Sequence, residues 1–375
     1  MTFENSPLWD DGSWSGLPSL AQDIQADVCV VGLGGSGLTA VHAFLDRGLT
    51  VVGIDAQRVA AGAAGRNGGF LLAGLAKFYH ETVQAFGRGR AAEIYRCTLV
   101  EMDRMSAATP SAIKRNGSLR IAANDAELAD CDTQFNALRT DGFPVEYFDG
   151  AEGQGLLLLT DGSFNPLLRC RLLTVSALER GARLFENTRA TQIETDVVET
   201  QHASINCKFV LVAVDGCIEH LLPQLQSRVR TARLQMIGTA PTREVSFKRP
   251  VYARWGYDYW QQLADGRVVI GGGRDLVEEQ EWTANAQPTA PVQDSLAQLR
   301  EKIGVNAPIT HHWAASVGYT KDGLPIIEEV HPRVWAIGGY NGTGNVVGAL
   351  CARSVCELVT NGESAFYSLL KNLSQ

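Results

Sequence analysis

The sequence predicts an α/β protein with two domains, one built on a parallel sheet and one on an antiparallel sheet. Short, fully apolar runs at residues 28–31 and 209–214 are typical of strands buried in a parallel sheet. A glycine-rich turn follows the first run and leads into a helical pattern. Residues 228–273 change to longer strands of mixed polarity joined by turns, which indicates a second, antiparallel layer.

Length and charge limit the classes of function. The chain has 375 residues, 45% of them hydrophobic, which is enough to bury a sizeable core. Its net charge of −8 argues against nucleic acid or an anionic membrane as the main partner. No apolar run reaches the roughly 18 residues of a transmembrane segment. The start of the chain lacks the pattern of a signal peptide, and the eight cysteines form no Cys-x-x-Cys pair, so we expect a cytoplasmic protein with free, mostly buried thiols.

The opening segment, residues 27–55, has the order of a Rossmann-like unit. Its parts are a strand over 28–31, the G-x-G-x-x-G pattern Gly32-Leu33-Gly34-Gly35-Ser36-Gly37, a helix over 38–47, a strand over 50–54 and then Asp55.

Each residue type in this pattern has a physical role. Gly32 allows the tight turn, Gly34 lets backbone N–H groups approach a pyrophosphate, and Gly37 lets the helix pack closely on the strand. The helix N-terminus offers N–H donors and a partial positive charge to phosphates. Asp55 lies 18 residues after Gly37, where a carboxylate accepts hydrogen bonds from an adenosine ribose. The segment therefore predicts a dinucleotide site.

A glycine- and alanine-rich stretch follows at residues 56–74. Such a long connection is uncommon unless it is functional. Its glycines allow the backbone to approach a flat ligand, and Arg66 and Asn67 supply side-chain donors. Beyond it, the patterns predict helices over 79–108, 125–140 and 166–180, and strands over 117–122, 143–148, 183–185, 189–194 and 209–214.

The second layer is predicted from strands over 230–240, 251–259 and 267–271, followed by a polar linker over 278–291 and a helix over 292–303. Residues 252–260 are rich in aromatics. These rings pack one face of a sheet or form the walls of a ligand site, and the pattern alone leaves both alternatives open.

The end of the chain repeats the opening pattern. A strand over 334–337 enters a glycine-rich turn over 338–345, and an apolar helix follows over 346–359. A second such turn predicts a second contact between a helix N-terminus and the ligand. Because NAD usually needs only the first turn, the pair of turns favours a flavin dinucleotide.

These motifs resemble the D-amino-acid oxidase-like family of FAD-dependent oxidoreductases, in particular its γ-glutamylputrescine oxidase and glycine or sarcosine oxidase branches. The resemblance rests on Gly32–Gly37 with Asp55, on Gly62–Gly69, on residues 319–325 (Tyr-Thr-Lys-Asp-Gly-Leu-Pro) and on Gly339–Gly344. It implies a discontinuous, Rossmann-like FAD-binding domain over 1–80, 156–222 and 320–375. It also implies a substrate domain over 81–155 and 223–319, whose antiparallel sheet covers the flavin ring.

The resemblance also assigns residues to the cofactor. Those expected to bind FAD are Gly32, Gly34, Gly35, Ser36, Gly37, Asp55, Ala56, Arg66, Asn67, Gly68, Gly69, Ala190, Gly342, Thr343, Gly344 and Asn345. Two departures from the family stand out: Thr343 replaces a frequent histidine, and Ala314, Ala315 and Ser316 replace the cysteine that attaches FAD in some relatives. We therefore expect non-covalent FAD.

The activity that the resemblance implies is oxidation of an amine or amino acid, with hydride transfer from a C–H bond next to a neutral amine to the flavin. Few acid–base residues are needed, and His80, His311 and His312 lack metal-ligand spacing. The expected substrate contacts are Tyr257, Tyr259 and Trp260 as walls, Tyr340 and Asn341 near the ring, and Arg254 as a carboxylate clamp with Arg274 behind it.

Several alternatives stay open at this point. The electron acceptor is O2 or a quinone, and the oligomeric state is undetermined. A flavin dehydrogenase of a hydroxy acid, an NAD-dependent enzyme and a non-catalytic flavoprotein subunit are the competing hypotheses.

Overall fold

The computed structural model describes residues 4–371, and they form two compact units. The parallel-sheet unit contains residues 11–65, 167–231 and 317–371. The mixed-sheet unit contains residues 4–10, 66–166 and 232–316. These bounds differ from the predicted domains mainly in placing residues 66–80 and 156–166 with the mixed sheet. Parts of the predicted domains at residues 1–3 and 372–375 lie outside the described residues.

The strands, in chain order, are β1 Ile24–Val31, β2 Val51–Ile54, β3 Phe70–Leu71, β4 Ile113–Lys114, β5 Ser118–Ile121, β6 Val145–Gly150, β7 Gly153–Leu158, β8 Gly162–Phe164, β9 Arg183–Phe185, β10 Ala190–Ile193, β11 Val197–Thr200, β12 Ser204–Val212, β13 Val229–Thr239, β14 Val251–Ala253, β15 Asp258–Gln262, β16 Val268–Gly272, β17 Ile309–Thr320, β18 Ile326–His331 and β19 Val334–Gly338.

The α-helices are α1 Gly35–Leu45, α2 Ala63–Arg66, α3 Tyr79–Phe86, α4 Arg88–Ala108, α5 Asp125–Thr140, α6 Pro166–Glu179, α7 Ile218–Leu221, α8 Glu278–Glu281, α9 Ala290–Lys302, α10 Gly344–Asn361 and α11 Ala365–Lys371. Short 3-10 turns cover Pro223–Leu225, Arg254–Gly256 and Arg274–Val277.

The parallel-sheet unit confirms the prediction made from the apolar runs. β1 lies between β2 and β12 and pairs with both in parallel, with Val31 opposite Ile54 and Val212. β9 extends the sheet beyond β2, and β19 extends it beyond β12, again in parallel. The strands are apolar because helices cover parallel sheets, and their side chains, such as Cys29 and Val52, are completely buried.

The two glycine-rich turns of this unit lie close together. α1 follows the first turn and α10 follows the second, and the two helices pack against each other. A Cβ atom at Gly348 of α10 would lie 3.3 Å from the Cβ of Ser36 in α1. The opening and closing segments, which lie near opposite ends of the sequence, therefore meet beside one sheet.

The mixed-sheet unit contains the predicted antiparallel strands. β13, β16, β15 and β14 are neighbours, each antiparallel to the next. The sheet continues through β5, β7 and β6, and β14 pairs with β5 in parallel, so the sheet is mixed rather than purely antiparallel. The predicted fold class, a Rossmann-like domain with a second sheet domain, is confirmed.

One predicted strand, over 251–259, is wrong. It is interrupted by a 3-10 turn, because Arg254 and Trp255 adopt positive φ angles of 51° and 53°. The buried Glu127 carboxylate of α5 stabilises this backbone by accepting hydrogen bonds from both amides, at 3.1 and 2.6 Å. Such a long-range partner leaves no signal in the local pattern.

Two smaller predictions also differ from the structure. The helix predicted over 79–108 is divided into α3 and α4 at Gly87, whose φ is 78°. The linker predicted over 278–291 contains α8. Several strands were not predicted, among them β7, β11, β17 and β18. By contrast, α5 begins as predicted, since the Asn124 side chain accepts a hydrogen bond from the Glu127 amide.

Six of the eight cysteines are buried, and the other two are partly exposed. Across residues 4–371, no helix has both the length and the apolarity that crossing a bilayer requires. In the same range, no three His, Cys, Asp or Glu side chains are grouped in a way that could hold a metal ion.

Asp161 of the mixed-sheet unit makes stability depend on pH. Its buried carboxylate accepts hydrogen bonds from the Ser118 hydroxyl (2.6 Å) and the Ala73 amide (3.0 Å), but burial still raises its pKa from 3.8 to about 7. The unfolded chain therefore ionises first as pH rises. The contribution of Asp161 to stability is greatest below pH 4 and falls through pH 7, by roughly 4 kcal/mol at 1.36 kcal/mol per pKa unit.

We expect this fall to disappear in Asp161→Asn. The measurement is the unfolding midpoint Tm of both proteins between pH 5 and pH 8.5, where the difference Tm(wild type) − Tm(variant) should decrease with pH. The surface variant Asp265→Asn is the control and should follow the wild type. A difference that is constant across the range would contradict the assignment.

Candidate functional site

The first glycine-rich turn of the parallel-sheet unit leaves room only for backbone. A Cβ at Gly37 would lie 1.8 Å from the Gly32 carbonyl oxygen, and one at Gly34 would lie 3.1 Å from the Ala64 side chain. Gly32 itself has a φ of 104°, which favours glycine. The turn therefore brings backbone amides to its surface and directs the N-terminus of α1 outward, as pyrophosphate binding requires.

Among residues 4–371, no side chain caps this helix end with a hydrogen bond. Gly34 is the N-cap residue of α1, so it provides no capping side chain, and the first turn contains no acidic residue. Gly35 and Ser36 are the first two residues of the helix, where N–H groups have no partner within the helix. The uncapped end favours an anion.

Asp55 ends β2 in the position predicted for a ribose-binding acid. Its carboxylate accepts hydrogen bonds from the amides of Leu33 (2.8 Å) and Gln57 (2.9 Å), so it also fixes the glycine turn. Burial, with a smaller contribution from nearby Glu186, raises its pKa to about 6. Ala56 follows it, half-buried, on the same loop.

Glu186 is a second acid beside this loop, and its role was not predicted from the sequence. It is 1% exposed and accepts hydrogen bonds from the Trp14 indole (2.7 Å) and from the amides of Leu17 (2.9 Å) and Val59 (2.7 Å). It thereby fixes the loop after Asp55. Ala190, expected to contact adenine, begins edge strand β10 close by in sequence and is 8% exposed.

The second glycine-rich turn is held by Asp215, another acid that was not predicted. Asp215 follows β12, and its carboxylate accepts hydrogen bonds from the amides of Gly318 (3.2 Å) and Tyr340 (3.1 Å). Burial raises its pKa to about 6. The turn continues through Gly342, whose φ is 87°, to Thr343. Thr343 is the N-cap residue of α10, but its side chain makes no capping hydrogen bond. Gly344 and Asn345 are the first two residues of the helix.

Two residues of this turn that were expected near the substrate have structural contacts instead. The Asn341 side chain accepts a hydrogen bond from the Thr320 amide (2.9 Å) and donates one to the Gly339 carbonyl (2.8 Å). Tyr340 is 4% exposed, and its ring lies against the backbone of Gly344 and Gly348, where neither residue leaves room for a side chain. Within this unit, both side chains shape the turn, and their contact with a substrate stays a prediction.

In the mixed-sheet unit, residues 66–69 form a short loop at the end of α2. The Asn67 side chain accepts a hydrogen bond from the Gly69 amide (2.9 Å), and the Arg66 guanidinium donates to the Asn5 side chain (2.8 Å) and the Ala314 carbonyl (3.2 Å). Gly69 has a φ of 71°, and a Cβ there would lie 2.2 Å from the Phe164 carbonyl oxygen. Only glycine fits this position.

β15 separates the aromatics that were predicted to act together. Tyr259 lies against Gly68, where a Cβ would be 3.1 Å from its ring, and it contacts Phe70 edge-on at 5.8 Å. Trp260 points to the other face of the sheet, as neighbours in a strand do, and packs on Phe247 in the core. Tyr259 therefore borders the 66–69 loop, whereas Trp260 is a core residue.

The two candidate arginine clamps are already paired within the mixed-sheet unit. Arg254 donates to Asp258 (2.9 Å) and, with two nitrogens, to Asp275 (3.1 and 2.9 Å). Arg274 lies 3.6 Å from Glu278 and over the Trp282 ring. Tyr257 and Trp255, on the strained turn, are 37% and 44% exposed. A carboxylate bound at Arg254 would have to displace an aspartate.

A model of the family described as FAD dependent oxidoreductase matches residues 27–358, most of the chain and both glycine turns. The chain belongs to this family. It is thus an FAD-dependent oxidoreductase, and the predicted cofactor is confirmed.

Relatives with assigned names match along nearly the whole chain. A probable oxidoreductase OrdL of Rhizobium meliloti is 28% identical over 390 residues, covering 95% of this chain and 88% of the relative. The γ-glutamylputrescine oxidoreductase of Escherichia coli is 24% identical with the same coverage of both.

Solved structures show the same fold. A glycine oxidase from Geobacillus kaustophilus superposes with a TM-score of 0.75 at 19% identity, covering 92% of this chain and 96% of the other. An L-proline dehydrogenase from P. horikoshii gives 0.74 at 18% identity with the same coverage. At these identities the likeness concerns the fold.

The residues of the parallel-sheet unit fit FAD. The backbone cradle at Gly34 and Gly37 and the uncapped end of α1 suit the two phosphates, and Asp55 suits a ribose. When bound, the flavin accepts the electrons of the reaction, which this chain's side chains cannot do by themselves. The protein's contribution is to hold, orient and tune the cofactor.

Glu186 and Asp215, which were not predicted, share one weak sequence signal with Asp55. Asp55 and Asp215 each follow the last residues of a buried parallel strand, the end at which ligands bind in such sheets. This position predicted the role of Asp55, but the same position of Asp215 was not recognised. Glu186 follows β9 in the same way, so an acid just past a parallel strand was the available signal for all three.

We expect Asp55→Asn to weaken FAD binding by ten- to a hundredfold at pH 7.5. The amide keeps one acceptor but places an NH2 group near a backbone N–H, and loss of a charged hydrogen bond costs about 1.5–3 kcal/mol. The measurement is the Kd of FAD for the apoprotein, followed by quenching of flavin fluorescence.

The matched control is Asp27→Asn. Asp27 also accepts hydrogen bonds from a backbone amide and a hydroxyl, both of Thr50, but it lies away from the glycine turn. Its variant should bind FAD with an affinity close to that of the wild type. Equal losses in both variants would mean that Asp55 acts only through general stability.

Proposed function

We propose that this enzyme oxidises the C–N bond of an amine or amino acid, giving an imine that hydrolyses to a carbonyl compound and ammonia or an amine. The observation that carries the proposal is the pair of glycine turns that meet beside one sheet in a chain of this family. The flavin supplies hydride acceptance at its N5 atom. The names of the E. coli relative and of the glycine oxidase support amine or amino-acid chemistry.

The protein's part in this reaction is binding and placement. Loss of a proton from the substrate ammonium and correct orientation provide most of the activation, so no dedicated acid–base pair is required. The aromatic Tyr259, beside Gly68 and Phe70, is suited to exclude water and to orient an alkyl amine.

Arg254 and Arg274 both already lie beside carboxylates of the protein. This favours as substrate an amine that carries no carboxylate next to the reacting nitrogen. Binding a carboxylate at Arg254 would break its pairing with Asp275, in which two nitrogens donate to the two carboxylate oxygens, and leave that aspartate without its partner. Arg274 also has a carboxylate beside it, since its guanidinium lies 3.6 Å from Glu278. We infer that the primary substrate is an amine rather than an α-amino acid.

The test is anaerobic mixing of the enzyme with a panel of amines, D- and L-amino acids and 2-hydroxy acids. We expect an amine to bleach the flavin absorbance and the hydroxy acids to leave it unchanged. Bleaching by a hydroxy acid alone would overturn the proposal, and so would a flavin that no member of a broad panel reduces. Reoxidation of the reduced enzyme by air or by a quinone then identifies the acceptor.

Arg254→Leu separates the two substrate classes. We expect it to lower Tm, because Asp258 and Asp275 lose their partner, while the KM of the amine stays within about threefold of the wild-type value. Arg243→Leu, an arginine that is exposed on the same unit, is the control for charge. A tenfold or larger rise in the KM of an amino acid would instead identify Arg254 as a clamp.

We also propose that FAD is held without a covalent bond. The positions that carry a linking cysteine in some relatives hold Ala314, Ala315 and Ser316, and the Ser316 hydroxyl donates to the Ala284 carbonyl (3.1 Å). Acid precipitation should release all the yellow colour into the supernatant. A pellet that stays yellow after washing would contradict non-covalent binding.

A further inference from the structure

Residues 213–215, which follow β12, lie between the two glycine-rich turns of the parallel-sheet unit. A Cβ at Gly32 of the first turn would be 2.8 Å from the Ala213 carbonyl oxygen. A Cβ at Gly338, where the second turn starts, would be 2.9 Å from the Val214 carbonyl oxygen. This short segment therefore touches both turns, and no side chain fits where it meets either of them.

The side chain of Asp215 connects this segment to the second turn. Its Oδ1 atom accepts a hydrogen bond from the Tyr340 amide (3.1 Å), and its Oδ2 atom accepts one from the Gly318 amide of β17 (3.2 Å). The Asn341 amide donates to the Gly318 carbonyl (3.0 Å), which joins β17 to the turn a second time. An ionised carboxylate accepts at both oxygens, whereas a protonated one has an O–H donor at one of them. Asp215 can therefore hold both amides only while it is ionised.

The backbone that Asp215 holds at Tyr340 carries a ring that aligns α10 with α1. The ring is 4% exposed and lies 2.8 and 3.2 Å from where Cβ atoms at Gly344 and Gly348 of α10 would be. Gly348 in turn meets Ser36, which belongs to the first glycine turn and to α1. Because packed interiors leave little free volume, a shift of Tyr340 moves α10 against the cradle that fits the FAD phosphates.

The surroundings of Asp215 decide when it is ionised. Burial raises its pKa to about 6, the negative charge of Glu219 in α7 adds to this effect, and the backbone amides partly offset it. Tyr340 and Cys351 of α10 also lie near Asp215, but burial raises the pKa of both well above neutrality, so both are uncharged near pH 6. The charge of Asp215 therefore changes within an experimentally accessible pH range.

We propose that Asp215 is a positioning residue for the cofactor: its carboxylate joins the end of β12 to the second glycine turn and so keeps α10 and α1 aligned around the FAD phosphates, and its protonation undoes this alignment. A cofactor that binds the aligned form favours the ionised carboxylate. The affinity for FAD is therefore greatest above the pKa of about 6 and falls as the pH decreases through it. The inference rests on FAD binding and does not depend on the identity of the substrate.

The test measures the FAD Kd of the apoprotein between pH 5 and pH 8 by quenching of flavin fluorescence. Because the pKa of Asp55 is also raised to about 6, every variant is made in the Asp55→Asn protein. In that protein we expect the Kd at pH 5 to exceed the Kd at pH 8 at least tenfold. Adding Asp215→Asn should remove this pH dependence and leave a high Kd at every pH, since the amide group places an N–H donor beside a backbone N–H.

Two further variants complete the test. Asp27→Asn is the matched control: Asp27 accepts hydrogen bonds from Thr50 and has a pKa of about 2, so its replacement should leave the pH profile unchanged. Glu219→Gln removes the negative charge beside Asp215 and should move the midpoint of the profile to lower pH.

The profile of the Asp55→Asn protein needs no change at residue 215, so it tests the proposal even if Asp215→Asn fails to fold. A Kd that does not depend on pH in that protein would overturn the proposal. So would a pH dependence that persists after Asp215→Asn is added. Because no substrate enters these measurements, failure here is distinct from failure of the proposed amine oxidation.

Discussion

The close contact between Gly37 and the Gly32 carbonyl is the constraint on which the parallel-sheet unit depends. With only 1.8 Å available for a Cβ, any side chain at residue 37 would push α1 away from the turn. The close approach of Gly37 to the Gly32 carbonyl directs the N-terminus of α1 toward the phosphate position. A second small pair, Gly348 and Ser36, lets α10 pack on α1 where the two helices meet. Small residues thus allow the opening and closing segments to pack together.

Carboxylates that accept several hydrogen bonds form the second level of organisation. Asp55, Glu186 and Asp215 each accept two or more hydrogen bonds from backbone amides or an indole at the carboxyl ends of parallel strands. Backbone amides in the loops at this edge have few hydrogen-bond partners in regular secondary structure. A carboxylate that accepts hydrogen bonds from several of these amides therefore holds the loop in one conformation. Burial raises the pKa of Asp55 and Asp215 to about 6, and the backbone amides partly offset that effect.

The cofactor residues could be predicted because they depend on local geometry. A tight turn, a helix start and an acid after a strand each require particular residue types at fixed spacing, as at Gly32, Gly37 and Asp55. The substrate residues could not be predicted in the same way. Arg254 and Asn341 are both polar and lie near aromatics in the sequence. In the structure, however, Arg254 is hydrogen-bonded to Asp275 and Asn341 to Thr320, each about 20 residues away.

The sequence by itself determined the elements of the opening and closing segments, the two glycine turns, the dinucleotide site and membership of an FAD-dependent family, because each depends on short runs of neighbouring residues. The tertiary structure alone decided which aromatics face the 66–69 loop, which arginines are already paired, and which acids and indoles hold the loops. The reason is physical: Trp9 and Asn67, or Asp215 and Tyr340, lie far apart in sequence, and only folding brings donor and acceptor to within 3.1 Å of each other.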